Sequence, residues 1–133
     1  MSRDYVEIVR AAYERAAAGE FSFEGYAEEF EFVTSSELPD AGTYRGEEAR
    51  RWISAWLDSF DELTIEATEI IDAGDKVIAG ILQRGRPPGS TKPVEGRWWH
   101  VMTFRDSLIV RSELYPQRDQ ALEATRAPGD PVD

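Results

Sequence analysis

Cysteine is absent from the 133-residue sequence, and only one histidine is present. The absence of cysteine excludes disulfide bonds, thiolate metal ligands and a cysteine nucleophile, and it suits the reducing cytoplasm, where we expect the protein to act. A single histidine without cysteine makes a zinc site unexpected, and the acidic residues lack the spacing of a calcium loop. Because no glycine-rich phosphate loop is present either, we predict no metal and no other cofactor.

Positive charge and long apolar runs are also scarce. The sequence has 15 basic and 26 acidic residues, and its net charge of −11 disfavours a nucleic-acid partner, which would require a basic surface. No apolar run approaches the ~18 residues of a membrane-spanning helix, so we expect no membrane partner. The length and the hydrophobic content of 41% fit one globular domain, which we place at residues 1–126, before a disordered tail at 127–133.

The spacing of apolar residues predicts three helices and a short strand in the first half of the sequence. In the second half it predicts longer strands followed by a fourth helix. Helical spacing indicates helices at residues 5–16, 23–30, 49–60 and 117–126, with a short strand at 31–35 and a loop at 36–46. From residue 63 the period changes to two, which predicts four longer strands joined as a meander. Helices on one face of a mostly antiparallel sheet make an α+β fold, and a curved sheet around the first helix leaves a cone-shaped pocket.

The hairpin at residues 97–115 carries the only histidine, His100. If residues 105–108 form the turn, His100 lies opposite Glu113, and directly opposed residues bring their Cβ atoms to roughly 5 Å. The same counting places Met102 opposite Arg111 and Trp98 opposite Tyr115. A histidine facing a carboxylate is either an acid–base pair or a satisfied buried polar pair, and both interpretations stay open.

Alternation along this strand predicts which side chains face the pocket. Trp98 and Met102 share the face of His100, whereas Trp99 and Val101 lie on the outer face of the sheet. A slip of one residue in register would exchange the two sets. Further candidate ligand contacts are the potential hydrogen-bond donors Tyr13, Arg84 and Tyr115, together with Trp56 as a cap over the pocket. Each of these residues also fits a purely structural role in the core or on the surface.

Several segments resemble the SnoaL-like members of the nuclear-transport-factor-two-like superfamily. They are VRAAYE at 9–14, AGE at 18–20, YRG at 44–46, VMTFRDSLIVR at 101–111, Tyr115, and RDQAL at 118–122. The resemblance spans about residues 5–126 and implies a cone-shaped α+β barrel, a fold that hosts isomerases, cyclases, epoxide hydrolases, dehydratases and binders. It also implies a homodimer formed through the outer face of the sheet, with Trp99 and Val101 in the interface.

The ketosteroid isomerase pattern implied by this resemblance is altered at each of its three positions. Its tyrosine falls on Ala12, next to Tyr13, and its aspartate base falls near Thr34 or Ser35. Its protonated aspartate falls on His100. The same isomerisation is therefore not expected.

Two other enzyme patterns of the superfamily fit in part. Glu113 matches one acid of the epoxide hydrolase-like members, but the strand that should carry the second acid offers Gln83 and Arg84. For the pocket acid–base group of the polyketide cyclases, His100 or Glu113 can stand in. We therefore predict a protein that binds an apolar or aromatic small molecule. It either catalyses cyclisation, isomerisation or dehydration with a His100–Glu113 pair, or is a non-catalytic ligand-binding or dimerising module.

Overall fold

The structure is a computed structural model and describes residues 2–34 and 42–125. Its elements are α1 (Ser2–Ala17), β1 (Tyr26–Val33), β2 (Thr43–Arg45), α2 (Glu47–Asp58), β3 (Asp61–Ala73), β4 (Lys76–Arg86), β5 (Val94–Arg105), β6 (Leu108–Tyr115) and α3 (Arg118–Ala124). Part of the predicted loop at 36–46 and the whole of the predicted disordered tail at 127–133 lie outside the described residues.

The six strands form one curved sheet in the order β2-β1-β6-β5-β4-β3. All neighbouring strands are antiparallel except β1 and β6, which run parallel. The edge strands β2 and β3 do not pair with each other, so the sheet is not closed. The predicted α+β class, with helices on a curved and mostly antiparallel sheet, is confirmed.

Helices α1 and α2 cover the inner face of the sheet, whereas α3 covers the outer face. On the inner face, Val9 of α1 packs with Val77 and Met102. On the outer face, Ala121 of α3 packs with Val101. The expectation that all helices share one face is therefore wrong, because the apolar outer side of β4 and β5 also needs cover from water. Since α3 already buries Val101, only Trp99 of the two predicted interface residues stays partly exposed on this face, and the dimer stays a prediction.

The segment predicted as a second helix is the strand β1. Tyr26 and Phe30 have helical spacing, and their rings do lie 4.7 Å apart. They come together because the pairing of β1 with β6 is irregular between Tyr26 and Glu31: five positions along β1 correspond to only two along β6, so β1 is compressed there. Pairing with β6 therefore overrides the local helical pattern.

The tip of the β5–β6 hairpin has the predicted form. Phe104 pairs with Ile109 around the turn residues Asp106 and Ser107, whose φ angles are 52° and 67°. Two successive positive φ angles define a type I′ turn, whose twist matches that of the flanking strands.

A β-bulge at Val110 then changes the partners of all the residues beyond it. Thr103 pairs with Arg111 although Phe104 pairs with Ile109, so Val110 is the extra residue. Consequently His100 lies opposite Leu114, and the predicted pairing with Glu113 is wrong. The bulge brings Ser112 to the inner face and leaves Glu113 on the outer face, since one extra residue reverses the alternation.

Candidate ligand-binding site

A cavity of about 240 Å³ lies between α1, α2 and the inner face of the sheet. Its walls are largely apolar, and its rim includes the exposed residues Glu20 and Phe21, so the cavity reaches solvent. The walls include Ile8, Val9, Ile53, Ile65, Ile81 and Ile109. Such a concave, mostly apolar space with few polar groups is the usual form of a small-molecule site.

His100 lies in the wall of this cavity, and both of its ring nitrogens are occupied. The Tyr13 hydroxyl lies 2.6 Å from Nδ1, and the Ser112 hydroxyl is hydrogen-bonded to Nε2. Burial lowers the pKa of His100 to about 4 because a charged ring would lose its hydration. The imidazole is therefore neutral at pH 7, and Tyr13 and Ser112 fix its orientation.

A second tyrosine, Tyr26, lies near Ser112 and lines the same cavity. Burial raises the pKa of Tyr26 to about 12 and holds the pKa of Tyr13 well above its ordinary value. Both phenols therefore stay protonated at neutral pH. Tyr13, His100 and Ser112 form an uncharged row of hydrogen bonds along the cavity wall beside Tyr26, and we call these four residues the polar network.

Gln83 supplies a second polar point in the cavity. The indole Nε1 of Trp56 donates to Oε1 of Gln83 over 3.1 Å. An indole nitrogen can only donate, so this bond fixes the carbonyl oxygen towards Trp56 and leaves the amide nitrogen on the other side. Among the described residues, no acceptor takes a hydrogen bond from that nitrogen, although the side chain is only 7% exposed. The amide nitrogen of Gln83 is therefore an unpaired donor in the cavity wall.

The cavity contains some of the predicted site residues and leaves out the others. Tyr13, Trp56, Trp98, His100 and Met102 line it, and Arg84, Glu113 and Tyr115 do not.

Arg84 and Glu113 lie elsewhere for the same reason, a register that differs by one residue from the predicted one. On β4, Gln83 lies opposite Gly96, and Arg84 is exposed and forms an ion pair of 2.8 Å with Glu95. On the outer face, Glu113 accepts a hydrogen bond from Tyr115. Glu113 therefore does not orient His100.

Three polar residues of the cavity are absent from the sequence prediction. Gln83 continues the period-two alternation of Ala79 and Ile81, and this signal could have identified it. Ser112 faces the cavity only because of the bulge at Val110, and Tyr26 was assigned to a helix.

Residues 2–34 and 42–125 contain neither a metal-ligand cluster nor a membrane-spanning helix. In that part of the protein, no group of three or more histidine, aspartate or glutamate residues is placed to hold a metal ion. No helix there has the length and apolar content needed to cross a bilayer.

Comparison with known proteins assigns the family. The family model described as the SnoaL-like domain matches residues 5–112. Because this match covers most of the sequence, the protein belongs to the SnoaL-like family. A comparison with curated proteins gave no match.

Solved structures have the same fold. An NTF2-like protein from Burkholderia thailandensis is 25% identical, with a TM-score of 0.70 over 92% of this chain and 98% of that chain. A protein assigned as a SnoaL-like polyketide cyclase from Jannaschia is 16% identical, with a TM-score of 0.70 over 95% of this chain and 94% of that chain. TerC, co-crystallised with polyporic acid, is 17% identical, with a TM-score of 0.68 over 92% of this chain and 98% of that chain.

Proposed function

We propose that this protein binds an apolar or aromatic small molecule that carries uncharged, hydrogen-bond-accepting oxygen atoms. The observation that carries the proposal is the cavity, whose apolar wall is interrupted by two uncharged polar features, the polar network and the amide of Gln83. A flat apolar body would fill the space beside Trp98 and Met102. A carbonyl oxygen would then accept a hydrogen bond from the network or from the amide.

The charges around the cavity favour a neutral ligand. The charged side chains that line it are Arg15, Glu20 and Glu24, and all three are exposed at the rim. A carboxylate or ammonium group deep in the cavity would lose its hydration without gaining a counter-ion, which is strongly unfavourable. TerC, which has the same fold, was co-crystallised with polyporic acid.

The polar network supports a role in proton-transfer chemistry as an extension of binding. A phenol such as Tyr13, held protonated and aimed at a carbonyl oxygen, stabilises the negative charge that develops there during enolisation, cyclisation or dehydration. His100 would act as a positioning residue, because its two nitrogens already bind Tyr13 and Ser112. Binding without turnover is the alternative, and it is favoured by the lack of a deep carboxylate among the described lining residues.

Binding can be tested by calorimetric titration with three probes of similar size: methyl naphthyl ketone, ethylnaphthalene and naphthoate. We expect the ketone to bind about three- to tenfold more tightly than the hydrocarbon, the value of one net hydrogen bond, and naphthoate to bind most weakly. Tyr13→Phe should remove the preference for the ketone. The matched control is Tyr5→Phe, because Tyr5 is on the same helix but stacks on Phe104 with ring centroids 4.3 Å apart. Tighter binding of naphthoate, or no binding of any probe, would contradict the proposal.

We also propose that the protein acts in the cytoplasm as a homodimer formed through the outer face of the sheet. The half-buried Trp99 lies on that face, with the guanidinium carbon of Arg118 5.7 Å from its ring centroid. A second copy would complete the burial of this ring. Light scattering at micromolar concentration should give twice the mass of one chain, and Trp99→Ala should lower it. A monomeric mass for the unchanged protein would count against this interface.

A further inference from the structure

Away from the polar network, two side-chain nitrogens of the cavity wall lie near each other. Gln83 on β4 lies directly opposite Gly96 on β5, and directly opposed residues bring their Cβ positions to roughly 5 Å. Gly96 has no side chain, and the indole Nε1 of Trp98 lies over it, since a Cβ added to Gly96 would be 3.2 Å from this nitrogen. The indole of Trp98 therefore leans along β5 towards the position that faces Gln83.

Both nitrogens are donors without an acceptor. The carbonyl oxygen of Gln83 is bound to Trp56, and the amide nitrogen is left unpaired. An indole nitrogen can only donate, and among the described residues none accepts a hydrogen bond from Nε1 of Trp98. In that part of the chain, the unpaired atoms that are sealed from open space are Nε of Arg86 and Oγ1 of Thr103. The two nitrogens are not sealed in this way, and the open space that both residues line is the cavity.

We propose that Nε2 of Gln83 and Nε1 of Trp98 form a subsite that binds one carbonyl oxygen of the ligand. A carbonyl oxygen has two lone pairs, so it can accept a hydrogen bond from each nitrogen. Trp56 is a positioning residue, because its hydrogen bond keeps the amide oxygen turned away from the subsite. Gly96 leaves the room that the indole of Trp98 occupies. This inference rests on the proposed ligand-binding function and adds a second point of recognition to it.

The distance between the subsite and the polar network defines the ligand class. His100 lies opposite Ala79, and Gln83 follows Ala79 by four residues, which is about 13 Å along a strand. Between these two points Ile81 and Trp98 lie opposite each other, and both line the cavity. A ligand that binds at both points therefore has a flat apolar middle and a carbonyl oxygen at each end. The class is a neutral aromatic dicarbonyl compound whose two oxygens are separated by a ring system.

The subsite selects its ligand by the direction of the hydrogen bonds. Both nitrogens donate, and the oxygen of the same amide is already bound to Trp56. A carbonyl oxygen satisfies both donors, whereas a pyrrole-type N–H in the same place would face two donors and stay unpaired. Because buried donors without an acceptor are costly, we expect the subsite to bind a ketone and to reject the corresponding N–H compound.

The probes for the experiment are 2,6-diacetylnaphthalene and 2-acetyl-6-ethylnaphthalene. They have nearly the same size and shape, but the second carbonyl of the diketone is replaced by a methylene group in the ethyl ketone. Calorimetric titration gives both dissociation constants, and their ratio reports the second carbonyl alone. For the unchanged protein we expect the diketone to bind at least about fivefold more tightly, which is the value of two modest hydrogen bonds and more than the symmetry of the diketone accounts for.

Variants assign this preference to the two donors. Gln83→Met keeps the length of the side chain without the amide, and Trp98→Phe keeps an aromatic ring without the indole nitrogen, so each should remove most of the preference for the diketone. Trp56→Phe frees the amide to turn its oxygen to the subsite and should lower the ratio by a smaller factor. A merely structural role of these residues would weaken both probes alike and leave the ratio unchanged. Arg84→Met is the matched control and should keep the ratio, because Arg84 is exposed and paired with Glu95.

The outcomes distinguish the subsite from the binding function on which it rests. If the unchanged protein binds the ethyl ketone and the diketone equally well, or if Gln83→Met or Trp98→Phe retains the preference, the two-donor subsite is overturned and the binding function stands. An unchanged ratio in Trp56→Phe overturns the positioning role of Trp56. If none of the naphthyl ketones binds, both proposals fail.

Discussion

The two faces of the β5–β6 hairpin hold polar side chains in opposite electrostatic states. On the inner face, His100 and Ser112 are uncharged and joined by a hydrogen bond. On the outer face, Arg111 lies 3.2 Å from a carboxylate oxygen of Glu31 and 3.4 Å from one of Glu113. The inner residues contact the cavity, and the outer residues form a row of ion pairs that continues onto β1.

The difference follows from access to water. The side chain of Arg111 is 42% exposed and that of Glu31 is 29% exposed, so both charges keep part of their hydration. The hydrogen bond from Arg45 holds the pKa of Glu31 below its ordinary value, with further help from Arg111. His100 has no such partner, and burial shifts its pKa in the direction that removes the charge. This hairpin therefore tolerates charge on one face only.

The largest expected effect comes from placing a charge on the inner face. Met102→Lys would bury an ammonium group at a position that is 2% exposed. Because no carboxylate lies in that part of the described wall, we expect the free energy of unfolding to fall by about 4 kcal/mol or more. The control is Leu108→Lys in the same hairpin, where the side chain is 43% exposed and the change should stay within about 0.5 kcal/mol. Urea denaturation measures both, and equal losses would contradict the asymmetry.

Acid is expected to lower the free energy of unfolding by a smaller amount, again through a residue of the inner face, His100. The folded pKa of His100 is about 4, below its unfolded value of about 6.5. The unfolded state therefore binds more protons between these two values, and stability falls as the pH drops from 6.5 towards 4. Between pH 7 and pH 5 the loss should be about 2 kcal/mol, since each pH unit below 6.5 costs about 1.4 kcal/mol.

His100→Gln is the control for this acid sensitivity, because it keeps a polar side chain that cannot titrate. The pKa of Glu31 is below its usual value, so its contribution to stability is lost only as the pH falls further. Urea midpoints at the two pH values provide the measurement. If His100→Gln loses as much stability as the wild type, the histidine is not the source of the acid sensitivity.

The same hairpin shows how far the sequence predicts the structure. Alternation of apolar and polar residues correctly places Trp98, His100 and Met102 on one face, because the strand β5 is regular there. The partners on β6 could not be predicted, because the bulge at Val110 is a property of the paired strands and leaves no residue signal such as glycine. The structure therefore places the predicted histidine in the cavity wall and the predicted carboxylate on the outer face of the sheet.

Two other incorrect predictions from the sequence also arise from strand pairing. Arg84 was assigned to the cavity because the length of the β4–β5 loop was misjudged by one position, and its neighbour Gln83 lies there instead. Tyr26 and Phe30 have helical spacing in the sequence, but they lie on the strand β1, whose pairing with β6 is irregular. Local patterns predicted most elements and faces, whereas long-range pairing decided which polar groups meet.

The smallest expected effect is a change in the ring nitrogen shifts of His100, and it distinguishes the inner face of the hairpin from the outer face. Glu113→Gln keeps an acceptor for Tyr115 on the outer face and changes the charge there, so the ring nitrogen shifts of His100 should stay unchanged in a proton–nitrogen NMR spectrum. Ser112→Ala removes the partner of Nε2 on the inner face and should displace those shifts. Assignment is direct because the sequence has one histidine. If Glu113→Gln moves the ring signals as far as Ser112→Ala does, the hairpin in solution has the register without the bulge, and the pairing of His100 with Ser112 is wrong.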